Sequence, residues 1–188
     1  MAKVKLNPTL ESIQGKIGDL VYRRFNDEEI VGRMPDRTGI VPTPNQVAQQ
    51  QKFRLAALYG KAALADPQTR TVYEDAASRK GEPVFAVTVA DFLNAPAVDE
   101  IDLAGYTGRS GEIIRVRASD DVEVKGVSVS VRDQQGNVLE QGAATWSTTS
   151  ETWSYTTTTN LTQGQSVSIE VSATDRPGHK TTKTQARA

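Results

Sequence analysis

Apolar residues alternate with polar ones through much of the C-terminal half of this chain. Ile114, Val116 and Ala118 fall on one side of an extended segment, Val127, Val129 and Val131 repeat the pattern, and Val167, Ile169, Val171 and Ala173 repeat it again. Successive side chains of a strand point to opposite faces, so this period of two predicts half-buried strands stacked as a two-sheet sandwich. Gln135-Gly-Asn137 supplies a turn, and Trp153 and Tyr155 share a face expected to be core. Residues 142–163 are rich in Thr and Ser, which suits an ordinary exposed strand pair. The other reading is a flat polar surface for a sugar or a protein, with Trp146 exposed and available to stack.

The N-terminal half is patterned differently. Residues 1–14 are polar, carry Pro8 and show no period, which reads as an extended arm. Two β-prone runs, Gly15 to Phe25 and Glu29 to Met34, flank Asn26 and Asp27 and predict a β-hairpin. Leu20 and Tyr22 share one face, and Val21, Arg23 and Phe25 the other, so neither face is purely polar. A lone hairpin is barely stable in water, and this one needs a helix, a strand or another chain to lie on. After a turn-rich connector at 35–42, Thr43-Pro-Asn-Gln46 has the form of a helix start with a capping box. Phe53, Ala56, Ala57, Gly60 and Leu64 then recur at helical spacing. Asp66-Pro67 opens a second helix running to Lys80, with Val72, Tyr73, Ala76 and Ala77 as its apolar side and Gly81 as its C-terminal cap. The small inner residues predict that the two helices pair as a close hairpin. Residues 83–89 read as a strand, ending in a short turn or helix around Asp91-Phe-Leu93, and 94–107 as a packed-down linker.

The order of three pieces resembles the bacterial immunoglobulin-like repeats of surface and appendage proteins. They are Ala118-Ser-Asp-Asp-Val122 leading into Val127-Ser-Val-Ser-Val131, then Trp153-Ser-Tyr155, then Val171-Ser-Ala-Thr-Asp-Arg-Pro-Gly178. Those repeats usually place Asn after the last glycine, where this chain has His179. The resemblance covers residues 108–188 and implies a sandwich fold and a non-catalytic role, the second step being analogy. Gly15-Lys-Ile-Gly-Asp-Leu-Val-Tyr22 with the helix start resembles segments of uncharacterised bacterial proteins and brings no activity with it.

Composition narrows the chemistry. The 188 residues allow one large or two small domains, and the absence of cysteine removes disulfides and thiolate metal sites. No run has the length of a signal peptide or a membrane span, so the chain as written is expected to start in the cytoplasm, with export by another route left open. Net charge is −1, but residues 1–80 carry 13 Lys and Arg against 9 Asp and Glu (+4), and residues 81–188 carry 9 against 14 (−5). Such asymmetry fits an anionic partner or head-to-tail contact between copies.

Few residues could carry chemistry. His179 is the single histidine and sits in a predicted turn, so no zinc set and no Cys–His pair can form. Neither a phosphate loop nor a serine elbow is present. Asp120, Asp121 and Asp175 end predicted strands and could meet at one pole, where carboxylates and carbonyls could hold Ca²⁺. The competing reading is that Asp ends strands because it bonds nearby backbone N–H groups. Arg23 and Arg24 are too few for a nucleic-acid face and are expected to match Glu28 and Glu29 across the hairpin. An enzyme would need an acid–base pair from Glu28, Glu29 or Asp36, and nothing orients them.

The expected fold class is therefore an α+β N-terminal segment (β-hairpin plus helical hairpin, residues 15–93, behind the arm at 1–14) followed by an all-β immunoglobulin-like sandwich at 108–188. The expected function is that of a non-enzymatic structural subunit. It would self-associate or decorate a filament, an appendage or a phage-like particle, docking through the arm and through Leu20, Val21, Tyr22, Arg23, Phe25, Ile30 and Val31. No nucleic acid, membrane span or cofactor is expected. The alternative is a ligand-binding module that takes a glycan at Trp146 or Ca²⁺ at Asp120, Asp121 and Asp175.

Overall fold

The computed structural model describes residues 2–3, 13–25, 28–36, 39, 41–162 and 164–187. Most of the expected arm, the Asn26–Asp27 turn and the side chain of Phe25 lie outside the described residues. The chain divides into two units, Met1–Pro44 and Asn45–Ala188.

The first unit is one antiparallel sheet. Strands β1 (Ala2–Lys3), β2 (Gly15–Ile17), β3 (Leu20–Phe25) and β4 (Glu28–Arg33) lie in the order β1-β4-β3-β2. The expected hairpin is its middle, with Tyr22 opposite Val31, Arg23 opposite Ile30 and Arg24 opposite Glu29. Two strands were not expected. Gly18, at φ 58°, turns the chain so that Gly15–Ile17 folds back on β3, a left-handed conformation in which a side chain would be strained. Part of the arm, Ala2–Lys3, pairs with the outer side of β4. None of this unit's described residues is buried.

The second unit opens with three helices. α1 (Pro44–Ala65) starts at the expected proline. α2 (Pro67–Lys80) has both of its expected caps. The Asp66 carboxylate accepts from the Thr69 backbone N–H at 2.9 Å, and Gly81, at φ 68°, donates its N–H to the Ala77 carbonyl. α3 (Val84–Leu93) replaces the strand expected at residues 83–89. Its β-branched residues favour a strand locally, but Pro83 presets the entry. As a helix, the segment buries Val87, Thr88 and Asp91 together, and Thr88 satisfies its hydroxyl by donating to the Phe85 carbonyl at 2.8 Å. Packing has overridden propensity. Gly60 of α1 faces this helix, since a Cβ there would lie 2.5 Å from Thr88 Oγ1 and 3.1 Å from the Phe85 ring. The small-residue surface of α1 thus admits α3, and the closely packed helix pair is α2 with α3 rather than the expected hairpin of α1 and α2. Ala63, Tyr73, Ala76, Ala77 and Val87 form the helical core.

Eight strands follow: β5 (Ala97–Asp102), β6 (Ile113–Ser119), β7 (Gly126–Arg132), β8 (Val138–Ala143), β9 (Thr145–Ser147), β10 (Thr152–Thr156), β11 (Val167–Thr174) and β12 (Lys180–Arg187). They make two four-stranded antiparallel sheets, β5-β6-β10-β9 and β12-β11-β7-β8. Ile114, Val116, Val127, Val129, Val131, Val167, Ile169, Val171 and Ala173 are all buried in one shared core, as their alternation predicts, and the sheets form a sandwich. The stretch at 94–107, expected as a linker, contributes β5, whose Val98 and Ile101 enter that core. The boundary between units also lies earlier than expected, so the helices belong with the sandwich. Divided at this boundary, the units carry 7 Lys and Arg against 6 Asp and Glu (+1) and 15 against 17 (−2). The apparent asymmetry of the halves largely disappears.

Candidate functional site

The three carboxylates expected to share a pole each have hydrogen-bond partners of their own. Asp120 follows β6, and its Oδ2 accepts from the Val122 and Glu123 backbone N–H groups at 3.3 and 3.2 Å. Asp175 follows β11 and is fully buried. Its Oδ1 accepts from the Gly178 and His179 backbone N–H groups at 2.7 and 2.6 Å, and its Oδ2 lies 2.8 Å from His179 Nδ1. Asp121 accepts from Asn94 Nδ2 at 2.6 Å and pairs with Lys80 at 3.4 Å, and the Asn94 bond leads the effects that hold its pKa below the usual carboxylate range. Turn formation and ion pairing therefore occupy these groups, save for the buried Oδ1 of Asp120. Among the described residues no group of three or more acidic or histidine side chains is arranged to hold a metal ion.

What Asp120 and Asp175 do share is a residue that sequence reasoning passed over. Asp91 lies in α3 at 0% exposure, and both carboxylates act on it electrostatically. Tyr73 of α2 donates its hydroxyl hydrogen to Asp91 Oδ2 at 2.5 Å, which leaves Tyr59 of α1 to donate to the Tyr73 oxygen at 2.7 Å. Three helices are thus threaded by one chain of hydrogen bonds. Burial pushes the Asp91 carboxyl up to about 7; the Tyr73 bond opposes this, and Asp120 and Asp175 add to it. Burial likewise raises Tyr73, with Asp91 and Tyr59 adding to the rise. The aromatic neighbours continue outward, with Phe92 at 5.3 Å from Tyr59 and also 5.3 Å, edge-on, from His179. The sequence held one signal: Asp91 is the single charged residue in the run Val-Phe-Ala-Val-Thr-Val-Ala-Asp-Phe-Leu. A carboxyl on the buried side of such a helix needs a partner.

The sandwich also presents Trp146. This residue, on the edge strand β9, is 43% exposed and opposes the partly buried Trp153 across the pair, with the rings tilted at 5.5 Å. It lines an open cleft of about 780 Å³ with Asp99, Arg117, Ser119, Ser150 and Glu151. Of the expected docking residues, Leu20, Tyr22 and Val31 share one face of the first sheet and Val21, Arg23 and Ile30 the other, by their register. Leu20 and Ile17, paired across β2 and β3, are exposed. Among the described residues no helix is long and apolar enough to cross a membrane.

Comparison with known proteins gives little to set beside this geometry. No family model matches the chain, and no curated protein matches it. Among solved structures, CopC from Methylosinus trichosporium OB3b is 15% identical, over 48% of this chain and 89% of that one, with a TM-score of 0.36. An engineered protein from the Northeast Structural Genomics Consortium is 20% identical, over 48% of this chain and 19% of its own, with a TM-score of 0.33. Likenesses at these scores carry no argument about function.

Proposed function

We propose that this chain is a non-enzymatic structural subunit that docks into a larger assembly, or onto copies of itself, through its N-terminal sheet. One observation carries the reading: the first unit is a single-layer sheet with no buried residue among those described. A sheet gains its stability by covering an apolar face, and one that encloses no core calls for a partner. The three-residue edge strand β2, with Ile17 exposed beside Leu20, offers backbone groups for strand addition. The sandwich is consistent with this role. Its orders β5-β6-β10-β9 and β12-β11-β7-β8 correspond to the A-B-E-D and G-F-C-C′ sheets of immunoglobulin-type domains, which supports the resemblance to appendage repeats. The near-neutral units lend no support to head-to-tail attraction of opposite charges, so apolar and backbone contacts have to drive the association.

The test is mass by light scattering on the wild type and on Val31→Asp, which puts a charge on the face shared with Tyr22 and Leu20. The wild type is expected to give multimers that the variant loses, while the thermal transition of the second unit stays where it was. Multimers that survive the substitution would remove this face from the interface.

A second reading rests on Trp146. An exposed indole held against Trp153, beside two carboxylates, a guanidinium and hydroxyls, suits a saccharide ring: one face stacks while the hydroxyls hydrogen-bond. Calorimetry against a glycan panel is expected to show saturable binding that Trp146→Ala abolishes. Absence of binding across the panel would dismiss the reading.

A further inference from the structure

Among the described residues the buried carboxyl of Asp91 forms no ion pair, and it lies beside a second carboxyl. Its Oδ2 is satisfied by Tyr73, and the Oδ2 of Asp120 is satisfied by the two backbone N–H groups of its own turn. The remaining oxygens, Asp91 Oδ1 and Asp120 Oδ1, are both buried and receive no hydrogen bond from any N–H or O–H group of the described residues. Yet the two side chains are neighbours: Asn94, which ends α3, donates to Asp121 at 2.6 Å, Val122 packs on the helical core, and Asp120 acts on Asp91 both as a charge and as a hydrogen-bonding group. Two carboxylates cannot bond without a proton, and two orphaned acceptors on neighbouring carboxyls are both satisfied by a single one. We infer that Asp91 and Asp120 share one proton through their Oδ1 atoms, and that this proton fastens the helical layer to the pole of the sandwich.

The location gives the pair its consequence. Asp91 belongs to α3, and Asp120 opens the loop between β6 and β7, whose Val122 packs against the helical core. The charged and titratable groups around the pair are few. α1 brings Tyr59 and α2 brings Tyr73, while the β11–β12 turn brings Asp175, Arg176 and His179. Asp121, in the β6–β7 loop, is occupied by Lys80 and Asn94, and Glu123 by Arg176 at 2.9 Å. None of these provides a cation to Asp91 that could replace the proton. Asp91 holds its proton more tightly folded, with a pKa of about 7, than unfolded, near 3.8. Its contribution is therefore complete below about pH 4 and is lost as pH rises through about 7. Above that, two carboxylates face one another at the seam. The helical layer is firmly attached in mildly acidic solution and loosened in alkaline solution.

The experiment compares thermal denaturation at pH 5.5 and 8.5 for the wild type, Asp91→Asn and Asp120→Asn, with hydrogen exchange of α3 read at both values. An asparagine at 91 reproduces the protonated state, its amide donating to Asp120 while its carbonyl accepts from Tyr73. The wild type is expected to lose Tm on the order of 5 °C or more between the two values, with faster exchange in α3. Both variants are expected to lose most of that difference, and Asp91→Asn is expected to melt above the wild type at pH 8.5. Groups outside the pair are common to all three proteins and cancel in the comparison. Parallel pH slopes in wild type and variants would overturn the inference. So would a rise in wild-type Tm at pH 5.5 with Ca²⁺ or Mg²⁺ alone that Asp91→Asn does not show, since a cation would then bridge the pair where the proton should sit. If Asp91→Asn fails to fold, Asp120→Asn and a carbon-13 titration of the wild-type Asp91 carboxyl decide the matter. A midpoint in the ordinary carboxylate range would refute the shared proton.

Discussion

Replacing Ile169 with alanine is expected to lower the melting temperature by about 5–15 °C, from a loss of about 2–5 kcal/mol. Ile169 is fully buried near the middle of β11, paired with Val131 on one side and Gln185 on the other. Its side chain reaches the core to which both sheets contribute. Close-packed interiors collapse only partly around a deletion, so the lost methylene contacts are joined by the cost of a cavity. Thermal unfolding monitored by far-ultraviolet circular dichroism would measure it. A shift within a degree of the wild type would mean that β11 is not central to the sandwich. Ile169→Val serves as a graded control, with an expected cost of about 0.5–1.5 kcal/mol.

The second large effect is expected at Gly60, from the opposite cause. Any side chain there meets Thr88 Oγ1, which is already committed to the Phe85 carbonyl, and then the Phe85 ring. Gly60→Leu gains up to about 1 kcal/mol of helix propensity in α1, but overpacking costs about 1–3 kcal/mol or more and pushes α1 off α3. A net fall in Tm of several degrees is expected, with hydrogen exchange rising in α1 and α3 before it rises in the sandwich. Gly60→Ala, whose Cβ already meets Thr88 Oγ1, is expected to show a smaller fall of the same sign. Unchanged stability in Gly60→Leu would deny the close approach of the two helices.

Where the sequence could be read and where it could not has a physical explanation. The period of two in β6, β7 and β11 survives because each strand has one face in the core and one in solvent, so burial is written into alternate residues. The caps of α2 were legible because Asp66, Pro67 and Gly81 act through local backbone chemistry. α3 was misread because Val84, Phe85, Val87 and Val89 carry a strand's local preference, and only the docking of Val87, Thr88 and Asp91 on distant residues makes the helix the better state. β5 reads as a linker because it is short, follows Pro96 and carries the charged residues Asp99, Glu100 and Asp102 among its apolar positions. At the site, the aspartates that end strands are visible in the sequence, whereas the convergence of Asp120 and Asp175 on Asp91 depends on how three helices meet a sandwich pole. No spacing in the chain encodes that.

The central claim is that the N-terminal sheet is an assembly surface. Its most direct test is the mass of the full chain by light scattering, over a range of concentrations, beside a chain beginning at Asn45, which retains both the helical and the sandwich cores. Large or concentration-dependent particles from the full chain, with monomers from the shortened one, are the predicted result. Monomers from both at every concentration would contradict the account and leave the Trp146 cleft as the surface to pursue.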